Sequence, residues 1–224
     1  MVRVRRLHPW PATVEEATRI QDRLRPLVQL TAVRPSPIRT AAGVDVAYST
    51  ASDRLVAGVV VLDAETLEIV DTAIATGTVS FPYATGFLAF RELPTLVAAL
   101  ERLATTPDLL VCDGQGFAHP RRFGLACHLG VLTDLPSIGV AKTPLGRYDL
   151  PATARGSSTD LLDGAEVIGR ALRTQDNVKP VFVSVGHKID LDAACEHVLS
   201  LAPRYRLPEP TRRADQLVRN ALVS

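Results

Sequence analysis

The sequence has little cysteine and no long apolar run, and each shortage excludes a class of protein. Its three cysteines, Cys112, Cys127 and Cys195, are widely separated and form no CxxC pair, which argues against a disulfide scaffold or a zinc site. No segment approaches the roughly 18 uninterrupted apolar residues of a transmembrane helix, and the basic N-terminus lacks the apolar core of a signal peptide. We therefore expect a soluble cytoplasmic protein that does not bind membranes.

The length and composition predict a single domain spanning residues 1–224. The chain is 46% hydrophobic and 22% charged, and at this length folding buries roughly 70% of the unfolded surface without a disulfide or metal. No internal repeat, low-complexity tract or linker indicates a second domain. The sequence contains no signal for oligomerisation, and we expect a monomer.

The net charge of +1 is unevenly distributed along the chain. Residues 1–40 carry eight arginines and three acids (+5), and residues 201–224 carry five arginines and two acids (+3), so the middle carries −7. Basic ends around an acidic centre are typical of a metal site with phosphate-binding arms, because the guanidinium fork suits phosphate oxygens. Charge segregation that serves solubility alone is the alternative.

Hydrophobic periodicity predicts an α/β fold. Strand-like runs fall at AAGVDVAYS, LVAGVVVLD, LEIVDTAIATGTVS, DLLVCD, SIGVAK, EVIGRALRT and PVFVSVGH, and helical spacing falls at TVEEATRIQDRLRPLVQL, GFLAFRELPTLVAALERLA, RRFGLACHLGVLTDL, DLDAACEHVLSLA and the C-terminus. Pro94 is expected in the first turn of the second helix or as a kink. Residues 145–160 are expected to be a loop. Antiparallel strands followed by strand–helix–strand units predict a mixed sheet with helices on both faces.

Three acids lie among apolar neighbours. Asp45 sits within a strand, Glu92 follows GFLAF, and Asp113 ends the buried strand LLVCD. If they converged at about 4 Å without a partner, each pair would repel by roughly 4 kcal/mol at an effective dielectric of 20. A divalent cation reverses that sign, and oxygen ligands select Mg²⁺ or Mn²⁺. Separate local roles, in a bulge, a turn and an ion pair with Arg91, are the alternative that spacing leaves open.

Other polar residues stand close to these acids in sequence. Gly114 and Gly116 allow close backbone approach, and their amides are candidate donors to a ligand. His119 suits acid–base chemistry or a local cap, and Lys142, which ends SIGVAK, suits charge compensation or a solvated strand end. Neither a Walker loop nor a dinucleotide fingerprint is present.

Three further features have both functional and structural interpretations. Tyr83, in a Pro/Gly-bracketed loop, either inserts into a nucleic-acid stack or packs on its own domain. His187 follows a strand and is either functional or a surface residue. Cys127 and His128 are adjacent on a predicted helix and point in different directions, which predicts packing roles and not a catalytic dyad.

Taken together, the segments GVDVAYS, FPYATGFLAFRELP, DGQGFAHPRRFGLACHLGVLTDLPSIGVAK and VFVSVGHKI resemble the successive motifs of the endonuclease V family of deoxyinosine 3′ endonucleases. The similarity extends from LHPWPAT to RLPEPTRRADQL. It implies an RNase H-like fold and a Mg²⁺-dependent nuclease, for which Mn²⁺ substitutes.

The resemblance also implies roles for individual residues. Asp45, Glu92 and Asp113 match the catalytic metal ligands, and Lys142 matches the catalytic lysine. Two larger sets follow from the same match. The strand-separating wedge corresponds to Pro82, Tyr83, Ala84 and Thr85, and the base pocket to Leu88, Gly114, Gly116 and His119.

Two departures from the family pattern affect this transfer of roles. The wedge commonly reads Pro-Tyr-Ile-Pro, whereas Ala84 and Thr85 occupy its last two positions here, so a rigid proline and apolar bulk are lost. In the C-terminal PTRxAH pattern, Asp215 replaces the histidine. A fourth carboxylate can change metal number or affinity, and no role is assigned to Asp215.

The implied activity is DNA repair. The enzyme is expected to flip hypoxanthine out of DNA and to hydrolyse the second phosphodiester bond 3′ to the lesion, leaving 3′-hydroxyl and 5′-phosphate ends. Two alternatives remain open: an inosine-directed ribonuclease of the same fold, and an inosine-binding protein that does not cut. The retained acids and Lys142 argue against the second.

Overall fold

The computed structural model describes residues 1–31 and 37–223, so Arg34 of the basic N-terminal segment lies outside the described residues. The elements of the described part, in chain order, are α1 (Val14–Leu24), a 3₁₀ turn (Arg25–Leu27), β1 (Thr40–Tyr48), β2 (Arg54–Asp63), β3 (Ile69–Thr78), α2 (Leu88–Leu100), β4 (Leu109–Asp113), α3 (Leu125–Thr133), β5 (Ser137–Ala141), β6 (Ser158–Asp163), β7 (Glu166–Leu172), β8 (Val181–His187), α4 (Leu191–Ser200) and α5 (Glu209–Val223).

The strands form an eight-stranded sheet in the order β3-β2-β1-β4-β5-β8-β7-β6. β1, β2 and β3 are antiparallel, β4 and β5 run parallel to β1, and β8, β7 and β6 are antiparallel again. The parallel connections use helices, as right-handed crossovers require. The predicted α/β class, with antiparallel strands first and parallel strands next, is confirmed.

Helices cover both faces of the sheet. On one face, Val44 and Val59 pack against Leu93 of α2 and Leu129 of α3. On the other face, α4 packs on β8, and α5 crosses β1 and β2 at very short range. That close approach requires Gly43, because a Cβ there would lie 2.0 Å from the Pro210 carbonyl. Asp45, two residues further along β1, therefore shares the face that α5 covers.

Three local expectations are corrected. The stretch 145–160, expected to be a loop, contains the start of β6, an edge strand that pairs with β7 across the turn at Gly164 (φ 62°). The Asp163–Gly164 step at this turn is a common hairpin signal, which the sequence analysis did not use. β6 was missed because half of its residues are exposed and only one is buried, so it lacks an apolar run.

The third helix also differs from expectation, and of the two expectations for Pro94, the first turn and a kink, the first turn is wrong. α3 begins at Leu125, and not at residue 121, because Arg122 adopts φ 54° and Gly124 is the N-cap. Pro94 is the seventh residue of α2 and not part of its first turn. It has no N–H to donate to the carbonyl of Phe90.

No helix within the described ranges is long and apolar enough to cross a membrane.

Candidate active site

Strand pairing places Asp45 and Asp113 side by side. Val44 of β1 is opposite Cys112 of the parallel strand β4, so the next residue of each strand is one of the two acids. Adjacent strands lie roughly 4.8 Å apart. The carboxyl end of β4 therefore delivers Asp113 next to the middle of β1, at the edge where open α/β sheets bind ligands.

Glu92 reaches the same region from α2. The Tyr48 hydroxyl, at the end of β1, donates a hydrogen bond to Glu92 Oε1 at 3.1 Å. Burial raises the pKa of Glu92 to about 7, and the charges of Asp45 and Asp113 contribute in the same direction. The three predicted acids are therefore electrostatic neighbours, although they come from three distant segments.

Asp45 has the same electrostatic character. Burial is the largest cause that raises its pKa to about 7, and the Asp113 carboxylate is the next. Asp215 on α5 raises the pKa of Asp45 further, while its own carboxylate accepts from Arg219 Nε at 2.7 Å. The residue that departs from the family pattern thus lies beside the acidic group.

The acids do not form a closed cage. Within residues 1–31 and 37–223, no three His, Cys, Asp or Glu side chains converge closely enough to hold a metal ion as they stand. Lys142 at the end of β5 instead forms an ion pair with Asp113 Oδ2. Burial and mutual repulsion disfavour the charged forms of these clustered carboxylates. A divalent cation would remove the repulsion, so the group of oxygen donors suits such an ion.

A cavity of about 610 Å³ adjoins Asp113 and Lys142. Its walls come from the loop before α2, the loop after β4 and the end of β5. The predicted pocket residues Leu88, Gly114 and His119 line it, and so do Thr143 and Leu145, which sequence reasoning missed. A space of this size, lined mainly by apolar side chains with a few polar groups, suits a planar heterocycle.

The two glycine amides are not free donors, contrary to expectation. Gly116 N–H donates to Ser184 Oγ at 2.9 Å, and Gly114 N–H donates to the Val140 carbonyl at 3.3 Å. Gly116 does not line the cavity. Its glycine is required because a Cβ would lie 2.2 Å from the Val185 carbonyl oxygen. Gly114 has φ 149°, a conformation that disfavours side chains.

His119 is buried in the cavity wall as a neutral imidazole. Burial lowers its pKa. Its Nδ1 accepts from the Arg121 N–H at 3.1 Å, so the single proton is assigned to Nε2. Nε2 is buried and faces Gly86, whose backbone raises the pKa of the ring against the effect of burial. The contact with Gly86 fits the cap on a carbonyl that the sequence suggested, and the Arg121 N–H adds a second backbone contact.

The basic residues after His119 serve the fold. Arg121 pairs with Asp22 of α1 at 2.7 Å. Arg122 binds Asp163 and Glu166, both at 2.7 Å, and thereby fastens the loop to the β6–β7 hairpin. These ion pairs hold the cavity wall in place.

The predicted wedge segment projects from the protein. Tyr83 is 81% exposed, so most of its side chain does not pack on its own domain. Its base is anchored by Phe81, which is buried against Phe87 and Phe90, and by Arg91 Nη1, which donates to the Phe81 carbonyl at 2.7 Å. Pro82, Ala84 and Thr85 complete the segment, and Thr85 borders the cavity.

His187 is a structural residue. It is buried at the end of β8, its Nδ1 accepts from the Gln29 N–H at 3.2 Å, and its Nε2 lies 3.6 Å from Asp134 Oδ1. It does not line the cavity. Cys127 and His128 are fully buried, which confirms their predicted packing roles.

The chain resembles known proteins in both sequence and structure. A sequence model described as Endonuclease V matches residues 22–216. Endonuclease V of Streptomyces avermitilis is 60% identical over 215 residues, which cover 95% of this chain and 94% of the relative. The crystal structure of the Streptomyces avermitilis protein superposes with a TM-score of 0.92 at 58% identity, covering 100% of this chain and 98% of that one.

A more distant solved structure includes nucleic acid. Endonuclease V of Ciona intestinalis, in complex with a 24mer DNA containing an inosine followed by a ribo-adenosine, superposes with a TM-score of 0.78 at 30% identity. The match covers 94% of this chain and 98% of that one.

Proposed function

The chain belongs to the endonuclease V family and is therefore a nuclease; from this premise we propose that it repairs DNA by cutting beside deoxyinosine. The bond cut is the second phosphodiester 3′ to the lesion, and the products carry 3′-hydroxyl and 5′-phosphate ends. The observation that carries the proposal is the acidic group of Asp45, Glu92 and Asp113 beside a cavity of about 610 Å³.

The cavity supports recognition of a flipped purine. Flipping costs a few kcal/mol, and less for a poorly paired base such as hypoxanthine. Hypoxanthine presents a carbonyl oxygen where adenine presents an amine. His119 lines the cavity; if its ring turned so that Nε2–H faced the base, that donor would match the oxygen and leave the amine unpaired.

The acidic group supports metal-dependent hydrolysis. Asp45, Glu92 and Asp113 would hold Mg²⁺ or Mn²⁺, and Asp215 lies close enough to Asp45 to influence that site. When bound, the ion supplies activation of the attacking water and neutralisation of charge on the phosphate. Lys142, freed from its ion pair with Asp113, would neutralise further charge on the scissile phosphate.

The exposed Tyr83 segment supports lesion detection. An aromatic side chain that projects from an anchored loop can stack where a base has left the duplex. Pro82, Ala84 and Thr85 would form the rest of the wedge. With Ala84 and Thr85 in place of apolar bulk and proline, the wedge has less surface to insert.

The remaining features of the proposal concern state and location. Residues 1–224 act as one nuclease domain, a proposal that the continuous sheet of the described strands supports, and the domain acts as a monomer. The three cysteines are free and buried, which fits reduced thiols in the cytoplasm.

The test is metal-dependent nicking of matched oligonucleotides. Duplex DNA and single-stranded RNA, each with one inosine or adenine at the same position, are incubated with Mg²⁺ or EDTA. We expect the wild type to nick inosine DNA at the second bond only with Mg²⁺. Asp113→Ala should lose at least 100-fold in rate, the scale of removing one group that acts on the transition state. Asp53→Ala, at an exposed acid, is the matched control and should retain activity.

The other outcomes assign the alternatives. Cleavage of inosine RNA but not DNA would replace DNA repair by the ribonuclease function. Tight binding of inosine DNA without metal-dependent cleavage would identify a binding protein.

A further inference from the structure

Tyr48 forms a side-chain hydrogen bond between two elements of the proposed site. It lies at the end of β1, the strand that carries Asp45, and its hydroxyl donates to Glu92 Oε1 on α2 at 3.1 Å. We propose that Tyr48 is a positioning residue that fixes the Glu92 carboxylate in the orientation needed to bind a divalent cation. The inference rests on the proposed function, because it takes Glu92 as a metal ligand.

The chemistry of the pair supports this role. A phenol keeps its proton at neutral pH and is therefore a constant donor, whereas a carboxylate only accepts. The hydrogen bond engages one carboxylate oxygen of Glu92, the fifth residue of α2, and thereby restrains a flexible side chain. A residue that hydrogen-bonds a metal-binding side chain holds that side chain in position. The side chain then loses less freedom when the metal binds, so the affinity for the metal is higher.

Tyr48 is itself held in place. The Arg91 guanidinium carbon lies 5.6 Å from the centroid of the Tyr48 ring and 6.0 Å from that of Tyr83. Arg91 Nη1 also donates to the Phe81 carbonyl at 2.7 Å, at the base of the exposed segment. A continuous series of contacts therefore leads from Tyr83 through Arg91 and Tyr48 to Glu92. The loop proposed to detect the lesion and a carboxylate proposed to bind the metal share one support.

The experiment removes one hydroxyl and measures metal binding directly. Wild type, Tyr48→Phe and Tyr205→Phe are compared. Tyr205 is the matched control because its half-exposed ring stacks beside Arg212, outside the described cavity. Mn²⁺ affinity is measured by titration with electron paramagnetic resonance, melting temperature with and without Mn²⁺, and inosine-DNA affinity in Ca²⁺. The single-turnover nicking rate is then measured at saturating Mn²⁺.

We expect Tyr48→Phe to bind Mn²⁺ roughly ten-fold more weakly, in the range observed when such supporting residues are removed. Its metal-free melting temperature and DNA affinity should match those of the wild type, and its nicking rate at saturating Mn²⁺ should approach the wild-type rate, because only occupancy of the site is lowered. Tyr205→Phe should be unchanged in every measurement.

The outcomes separate this inference from the proposed function. Wild-type Mn²⁺ affinity in Tyr48→Phe overturns the inference, whatever the substrate. A lower metal-free melting temperature with unchanged Mn²⁺ affinity also overturns it, because a merely structural tyrosine behaves so. If the wild type fails to nick inosine DNA but Mn²⁺ affinity still depends on Tyr48, the inference stands and the substrate assignment fails.

Discussion

At the scale of single residues, the acids of the site lower the stability of the metal-free protein. Asp45 and Glu92 both have a pKa of about 7, chiefly because burial disfavours their charged forms. An acid whose pKa is raised on folding stabilises the fold when protonated, so its unfavourable contribution is largest above pH 7 and shrinks as the pH falls towards 4. A cation would remove this cost, which is typical of a binding site that sacrifices stability for function.

Replacement of Asp45 by Asn should therefore stabilise the metal-free protein at pH 8. We expect a gain of about 2 kcal/mol in the free energy of unfolding, because burial penalises the charge of Asp45 while solvent still reaches the group in part. The gain should shrink at lower pH. Urea unfolding in EDTA at pH 8 and pH 5 measures it.

Two comparisons make this result decisive. Asp53→Asn, at an exposed acid, should change stability little at either pH. Added Mg²⁺ should stabilise the wild type more than Asp45→Asn. A variant that is less stable than the wild type at pH 8 would contradict the proposed electrostatic cost.

The exposed Tyr83 gives a second prediction at this scale. Tyr83→Ala should leave the melting temperature unchanged, since the side chain is 81% exposed. The preference for inosine over adenine DNA should fall roughly ten-fold, because stacking on an aromatic contributes about 1–3 kcal/mol per base. Competition between the two duplexes in one nicking reaction measures the preference. Undiminished preference would remove Tyr83 from lesion detection.

At the scale of elements, segments distant in sequence hold the cavity together. The loop between β4 and α3 is fastened to α1 by Arg121 and to the β6–β7 hairpin by Arg122. The N-terminal segment is fastened to α3 by a pair of histidines, His8 and His128, whose Nε2 atoms lie 2.8 Å apart. The elements around the site are thus joined by side-chain contacts as well as by the sheet.

The histidine pair has a definite arrangement of protons. His8 Nδ1 lies 2.8 Å from the Pro9 carbonyl and must donate to it, so His8 Nε2 accepts from His128 Nε2–H. Burial lowers the pKa of both residues, and the nearby Arg23 lowers that of His8 further. Protonation of His8 would set two N–H donors against each other.

This arrangement predicts a loss of stability in acid. A histidine whose pKa falls on folding takes up its proton first in the unfolded chain, so stability is complete above about pH 6.5 and declines below it. Between pH 7.5 and 5.5 the wild type should lose up to about 1 kcal/mol more than His8→Gln, which accepts the same hydrogen bond but does not titrate. Urea unfolding followed by the fluorescence of the single tryptophan, Trp10, reports it, because His8 and Trp10 are in ring contact.

The comparison between the two proteins isolates His8. Asp45 and Glu92 shift stability in the opposite direction over this pH range, but they are present in both proteins and cancel. Parallel pH dependences would show that the histidine pair does not titrate with unfolding.

At the scale of the whole molecule, the structure limits what the basic ends can contact. The sequence places +5 in residues 1–40 and +3 in residues 201–224. Many of these arginines bind the protein itself: Arg5 donates to the Val131 carbonyl, Arg206 to the Pro180 carbonyl, and Arg219 to Asp215. The number of arginines in the two ends therefore overstates the positive charge available to bind phosphate groups, because several of these side chains form hydrogen bonds and ion pairs within the protein.

The sequence by itself determined most of the secondary structure. Strands such as β2 and β4 and the helix α1 depend on local periodicity and caps, which one segment carries alone. The edge strand β6 and the start of α3 were missed, because an exposed edge has little apolar pattern and a left-handed residue such as Arg122 is held by distant partners. The motifs also indicated Asp45, Glu92 and Asp113 as candidate ligands through family resemblance.

Only the tertiary structure decided how these residues meet. The pairing of β1 with β4 places Asp45 beside Asp113, and the Tyr48–Glu92 hydrogen bond joins a strand to a helix 44 positions later. It also showed that the Gly114 and Gly116 amides are already bonded within the protein. Contacts of this kind depend on side-chain distances between remote segments. Local propensity contains no information about such distances, since they are fixed only when the sheet and its covering helices pack together.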